Sequence, residues 1–219
     1  MIITIDGPAG AGKSTVARAL ARRMGFRFLD TGAMYRAVAL AARRRSMDWA
    51  DAAALAELTR WLKIEVGESH VYLDGEDVTC EIRSLEITAV IHHVADNPAI
   101  REQLVRLQRG IGETGDFVTE GRDQGTVVFP HAECKFFLTA SPQERAARRQ
   151  KDLARRGEFV PIDEVLSQQN DRDRRDIERK VGGLIAADDA IEFVTDGLSS
   201  EQVVDRLELL AREKLVASR

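Results

Sequence analysis

A chain of 219 residues with 44% hydrophobic content has enough apolar material for a real core, and it bounds the protein to one main domain with room for a small insertion. A formal net charge of −4 gives no whole-molecule field for nucleic acid or anionic membrane, and no apolar run nears membrane-spanning length. Cys80 and Cys134 lack metal-ligand spacing and no charged-then-apolar leader precedes the first apolar run, so reduced thiols in a cytoplasmic protein are expected.

The chain opens on the apolar run Ile2–Ile5, which reads as a short buried strand. Gly7, Pro8, Ala9, Gly10, Ala11, Gly12, Lys13 and Ser14 follow it directly, spelling G-x-x-x-x-G-K-S between a strand and a helix. Glycines there let consecutive backbone N–H groups converge on a phosphate chain that a Cβ would obstruct. Lys13 would bridge the β- and γ-phosphates, and the Ser14 hydroxyl would ligate Mg²⁺. With Thr15, these residues form the expected triphosphate-binding set, at the positive end of a helix starting near Lys13 and running to Met24.

Gly25 fits the stop of that helix. Phe26–Leu29 is a second strand, and Asp30 or Thr31 is placed to cap the helix carrying Met34, Tyr35, Val38 and Ala41. Residues 51–62 form an Ala-rich helix. The period then changes: Ile64–Val66 and Val71–Leu73 alternate around Gly67-Glu68-Ser69, and Asp74-Gly75 supplies a second turn. This small antiparallel element is an insertion in a chain that otherwise alternates strand and helix. Helices are expected over 84–95 and 98–112, the second with Pro98 in its first turn. Strands follow at Phe117–Glu120, Lys135–Thr139 and Ala190–Thr195, and helices at 142–156, Val165–Val181 and Glu201–Leu215. The order predicts an α/β fold: a parallel sheet covered by helices on both faces.

Four polar clusters carry the candidate chemistry, two of them where such a sheet binds ligands. Asp30-Thr31-Gly32-Ala33-Met34-Tyr35-Arg36 and Glu120-Gly121-Arg122-Asp123-Gln124-Gly125-Thr126 both follow C-terminal strand ends. Glu144-Arg145-Ala146-Ala147-Arg148-Arg149 places Arg145 and Arg149 on one helix face, a costly pattern without a polyanion, and a lid closing over triphosphate would explain it. Asp171–Arg179 alternates in charge, the ordinary mark of a solvated, salt-bridged helix, yet Arg172, Asp176 and Arg179 share a face that could grip a sugar and a phosphate. The arginine excess, 26 against 6 lysines, suits planar two-point phosphate recognition, although solvated helix faces account for many. His70, His92, His93 and His131 show no metal spacing and no catalytic triad arrangement.

Taken together, these stretches resemble the bacterial cytidylate kinase family, of the nucleoside-monophosphate kinase superfamily. The resemblance is carried by Ile3–Ser14, Asp30–Arg36, Gly75-Glu76-Asp77-Val78-Thr79 with Ile82-Arg83, Gly121–Asp123 with Gly125–Pro130, Ser141 with Glu144–Ala146 and Arg148-Arg149, and the Arg172-Asp173…Asp176…Arg179 run. It implies five parallel core strands, a core of 1–30, 113–148 and 159–219, a monophosphate-binding region at 31–112 with the small β insertion at 60–90, and a lid at 149–158. It implies Mg²⁺ with ATP as donor, CMP or dCMP as acceptor, a monomer, and no nucleic acid polymer or membrane as partner. It implies acceptor contacts from Thr31, Arg36, Arg101, Arg122, Asp123, Arg172, Asp176 and Arg179, and charge stabilisation by Lys13, Arg36, Arg122, Arg179 and the lid arginines Arg145 and Arg149. Asp123 with Arg101 would choose the base, since a carboxylate accepts from the cytosine N4 amino group and meets an acceptor on uracil. Three positions depart from the family pattern: His92 for a common Ser, Gln124 for an apolar residue, and Gly182-Gly183 for Ala-Pro.

The nearest rival is a kinase for another small acceptor, against which the Gly-Arg-Asp segment and the late Arg/Asp run argue. A GTP-dependent switch needs Asn-Lys-x-Asp, which does not occur. A nucleotide-binding regulator without catalysis would not need two phosphate sites.

Overall fold

The computed structural model describes residues 1–155 and 157–217. In chain order the elements are β1 (Ile2–Asp6), α1 (Lys13–Met24), β2 (Arg27–Asp30), α2 (Thr31–Arg44), α3 (Ala52–Trp61), β3 (Ile64–Val66), β4 (Val71–Leu73), β5 (Glu76–Asp77), α4 (Leu85–Ala95), α5 (Pro98–Gly112), β6 (Phe117–Glu120), β7 (Cys134–Thr139), α6 (Pro142–Ala154), α7 (Ile162–Glu178), β8 (Ile191–Val194) and α8 (Ser200–Ala217). The larger sheet has five strands in the order β2-β6-β1-β7-β8. Its central strand β1 pairs parallel with β6 and β7, and β7 pairs parallel with β8.

The chain divides into two compact units, residues 1–26 with 117–219, and residues 27–116. In the first, α1 packs with α8 and against β6, and α8 also meets β7. Val16, Leu20, Val203, Val204 and Leu207 are buried there with Ile3, Ile5, Phe117 and Phe136. Strands enclosed this way read as apolar runs rather than alternating ones, which is why Ile2–Ile5 shows no period of two. The α6–α7 pair has a small core of its own: Ala146, Leu153 and Val165.

The second unit is built on α2, whose residues 37–42 are all buried. Around it lie α4, the 3₁₀ turn Glu81–Arg83 and strands β3 and β4. The expected insertion is a three-stranded antiparallel sheet, β3-β4-β5. Its β4–β5 turn uses Asp74 and Gly75, both at positive φ (53° and 87°), the backbone that a tight two-residue hairpin turn requires. Of the two expected cap residues for α2, it is Asp30 whose carboxylate accepts from Ala33 N at 3.0 Å.

The helix bounds differ most from the periodicity reading at α6 and α7. Helix α6 stops at Ala154 rather than 156, and α7 spans 162–178 rather than 165–181. Pro161 admits the early start, having no N–H to lose. Arg179 leaves the helix for an extended conformation, Gly182 turns back at φ +68°, and Leu184 N returns to Asp176 O at 2.8 Å. The Gly-Gly departure thus makes a tight reversal, where a Cβ on Gly183 would stand 2.9 Å from Arg179 O.

Gly7 is the most constrained glycine. At φ +143° its missing Cβ would lie 2.0 Å from the Leu138 carbonyl oxygen of β7. Gly75 has the positive φ but open space around it. Gly7→Ala is therefore expected to lose about 2–4 kcal/mol of stability, and Gly75→Ala only about 1 kcal/mol. Urea titration of both variants checks this, and equal losses would contradict the close approach.

Candidate active site

Strand β1 ends at Asp6, and the chain runs through the phosphate loop into α1. Gly10 and Gly12 hold left-handed conformations (φ +80° and +87°), and no side chain caps α1, whose N-cap is Gly12. Lys13 is buried, and its Nζ donates to the Pro8 carbonyl at 2.8 Å, so the side chain folds back along the loop. Burial, then the neighbouring Arg122 guanidinium, lowers its pKa to about 7, against the opposing pull of Glu120. The Ser14 hydroxyl donates to the Glu120 carboxylate at the end of β6.

Asp6 is spent on the backbone. Its two carboxylate oxygens accept from Gln124 N at 2.9 Å and Gly125 N at 2.7 Å. Burial pushes its pKa up to about 6, although those two N–H groups favour the ionised form. The segment it holds is a π-type turn over Gln124–Val128. Gln124 reaches back into the interior, its Oε1 accepting from Thr119 Oγ1 at 2.8 Å. Asp6 thereby fixes the backbone on which Arg122 and the buried Asp123 stand. Sequence reasoning assigned Asp6 and Glu120 no role. A carboxylate at a strand end beside the phosphate loop was the available signal.

Four of the expected acceptor-side residues meet within the first unit. The Asp176 carboxylate accepts from Arg122 Nε at 2.9 Å and Arg179 Nη2 at 2.6 Å, with Arg172 Nε at 4.0 Å. Burial alone would raise this carboxyl's pKa; Arg122, Arg172 and Arg179 together hold it far below the usual carboxylate range. Arg122 and Arg172 are also close enough to depress Lys13, so this cluster and the phosphate loop form one positive region.

Three more lie in the second unit. Thr31 is the buried first residue of α2. Arg36 donates through Nη1 to Ile82 O at 3.1 Å and Thr88 Oγ1 at 2.9 Å. Arg101, buried on α5, donates to Ala95 O at 3.3 Å, and its guanidinium stands 5.6 Å from the Tyr35 ring centroid. His92 is half-buried on α4 beside His93, their ring centroids 4.0 Å apart.

The basic helix differs from expectation. Arg145 is buried: Nε donates to Ala140 O at 3.0 Å, and Nη1 to Ala9 O at 3.0 Å and to Asp173. Arg148 pairs with Glu144 and donates to Thr195 O at 2.7 Å. The repulsion inferred from like charges on one face is thus met by carboxylates and carbonyls of this chain. Arg149 is half-buried within α6, so residues 149–154 of the expected lid are helical, and Arg156 lies outside the described residues.

For a cation the loop offers hard oxygen donors, the Ser14 hydroxyl and the Glu120 carboxylate side by side. No cluster of three His, Cys, Asp or Glu able to hold a metal occurs among the described residues. The set fits a Mg²⁺ that arrives with phosphates and keeps most of its ligands from them and water.

A parallel sheet with a glycine-rich loop between β1 and α1, and a second arginine site beside it, defines a phosphate-loop phosphotransferase. The chain belongs to the cytidylate kinase family, whose sequence profile matches residues 3–213. It is 50% identical to a cytidylate kinase of Rhodopirellula baltica, across 100% of this chain and 95% of that protein. It is 50% identical to a cytidylate kinase of Pelotomaculum thermopropionicum, across 92% of each. A bifunctional pantoate ligase/cytidylate kinase of Synechococcus sp. is 48% identical across 99% of this chain, which spans 41% of that protein. An uncharacterised Eubacterium ventriosum protein of known structure shares the fold at TM-score 0.50 and 13% identity, covering 97% of this chain and 98% of that one.

A lysine with a pKa of about 7 is mostly neutral at pH 8, and phosphate oxygens beside Nζ raise it again. Triphosphate binding at pH 8 is therefore expected to be accompanied by proton uptake at Lys13. Calorimetric titration in buffers of different ionisation enthalpy reads that uptake. Lys13→Arg, charged throughout, is expected to abolish the uptake, and a wild type that takes up no proton would refute the buried neutral lysine.

Proposed function

We propose that this chain transfers the γ-phosphate of Mg·ATP to CMP or dCMP, giving CDP or dCDP and ADP. The observation that carries the reading is the Asp176 cluster: three arginines on one carboxylate, two of them near enough to Lys13 to depress it. A protein that only binds or senses one nucleotide has no use for that second anion site.

The acceptor is a phosphate monoester with a second pKa near 6, mostly dianionic at neutral pH, so it attacks without a general base. The barrier is the approach of two polyanions. Arg122 holds the acceptor phosphate, moving its guanidinium from Asp176 toward the incoming charge, while Asp176 and Arg172 retain the sugar. Thr31, Arg36 and Arg101 of the second unit add acceptor contacts. Asp123 accepts from the cytosine N4 amino group and disfavours uracil. On the donor side the 7–15 loop wraps the phosphates through its N–H groups, and Lys13 neutralises the migrating group. Ser14, with Glu120 accepting its proton, would hold Mg²⁺, whose charge offsets that of the β- and γ-oxygens. Arg149 and Arg179 stabilise charge as the lid over 149–158 closes and excludes water. The acceptor-binding region is 31–112, and the remainder is the core.

The proposed setting is the cytoplasm and the proposed state a monomer, with nucleotides alone as partners. Among the described residues no helix is long and apolar enough to cross a membrane. Burial pushes the Cys134 thiol up to about 11, which suits an inert reduced cysteine.

A coupled ADP-release assay with Mg·ATP tests this against CMP, dCMP, UMP, AMP and GMP, with an acceptor-free control. Turnover confined to CMP and dCMP is expected. Asp123→Ala is expected to reduce the CMP-over-UMP preference at least tenfold, on the order of one lost bidentate base contact, with KM for ATP little changed. Acceptor-independent ADP release alone would overturn the reading, and an unchanged base preference in the variant would remove Asp123 from the base site.

A further inference from the structure

Helix α7 buries an unusual stripe. Its inward positions are Val165, Gln169, Asp173 and Asp176, all less than a tenth exposed, and only the first is apolar. Each polar member is engaged at a different part of the site. Gln169 Nε2 donates to Pro142 O at 3.1 Å, and its Oε1 would lie 3.3 Å from a Cβ on Gly10 of the phosphate loop. Asp173 accepts from Arg145, which also donates to Ala9 O of that loop. Asp176, one turn further on, holds Arg122 and Arg179.

Arg145 itself leaves little slack. Its Cβ and carbonyl oxygen would lie 3.0 Å and 3.1 Å from a Cβ on Gly10, so it is packed against the loop as well as bonded to it. It joins three elements: the end of β7 through Ala140 O, the loop through Ala9 O, and α7 through Asp173. The other Asp173 oxygen, Oδ1, is buried without a hydrogen-bond partner among the described residues. Arg145 is the guanidinium hydrogen-bonded to this buried carboxylate, so opening the pair is costly and the arginine's orientation is fixed by it.

We infer that Asp173 is a positioning residue for the donor site: through Arg145 it sets the conformation of the 7–12 loop in which backbone N–H groups face the donor phosphates. It acts on the donor half, while Asp176, on the same rigid helix, acts on the acceptor half. The inference deepens the kinase reading and rests on it for the identity of donor and acceptor.

The test reads donor binding directly. Mg·ATP and CMP are each titrated onto the full chain by calorimetry, with steady-state kinetics in parallel. Asp173→Asn, which keeps the shape and removes the charge, is expected to raise the Kd and KM for ATP about tenfold, the effect of weakening one charge-assisted contact, with CMP binding within about twofold of wild type. In an Arg145→Met background, Asp173→Asn is expected to add little further loss of ATP affinity, because Asp173 reaches the loop through that arginine. Asp173→Glu is expected to recover part of the loss. Should Asp173→Asn not fold, Arg145→Lys, which keeps the charge but cannot span the three acceptors, carries the same expectation for ATP against CMP. A lowered melting temperature with both affinities unchanged would make the pair merely structural and overturn the inference; so would equal losses for ATP and CMP, or additive losses in the double variant. A wild type that binds Mg·ATP yet shows no CMP-dependent turnover would instead sink the kinase reading and leave the loop-positioning result standing.

Discussion

A site that receives two polyanions must keep several cations close together before either arrives, and that constraint organises the first unit. Bare, the cluster would repel itself. The structure answers with carboxylates: Asp176 under Arg122, Arg172 and Arg179, Asp173 under Arg145, and Glu120 beside Lys13 and Ser14. Buried pairs of this kind add little net stability, because desolvation cancels much of the attraction, yet removing one member is costly. Their value lies in holding guanidinium groups in place until a phosphate can replace the carboxylate as partner.

Helix α7 shows what sequence reading recovers and what it misses. Its alternating charges read as a solvated face, with Arg172, Asp176 and Arg179 picked out as a possible grip, and Asp176 does gather both arginines. The stripe Val165, Gln169, Asp173, Asp176 went unseen because burial is inferred from apolar periodicity, and this stripe is apolar only at its first position. Likewise nothing local in the sequence says that Arg145 will meet Asp173, 28 residues away, or Ala9, 136 residues away.

The larger outlines were legible because they rest on local rules. A strand–glycine loop–helix unit is written in consecutive residues, and the order of strands and helices predicts the parallel sheet. Asp74-Gly75 announced its turn by conformational preference alone. By contrast, the π-type turn at 124–128 depends on Asp6, whose bond to Gly125 spans 119 residues of sequence. No propensity of Gln124-Gly125-Thr126 encodes a docking carboxylate at the end of another strand. Gln124, a departure from the family's apolar pattern, makes sense only once Thr119 is seen beside it.

The opposite shifts at the end of β1 complete this account. Burial raises Asp6 to about 6 and lowers Lys13 to about 7, so near neutrality the acid is largely ionised while the lysine is about half charged. For Lys13 the folded pKa lies below its ordinary value of 10.5. The penalty for burying its charge is therefore absent above that value, grows as pH falls, and is complete below about 7. The buried ammonium thus carries a cost at physiological pH that a phosphate would offset as a partner besides the Pro8 carbonyl it already bonds. Asp6 and Glu120 offset only part of that cost, and both Asp6 oxygens are already engaged by the turn. Part of the affinity for triphosphate is in this way built into the fold, as a lysine whose charge its own neighbours only partly compensate.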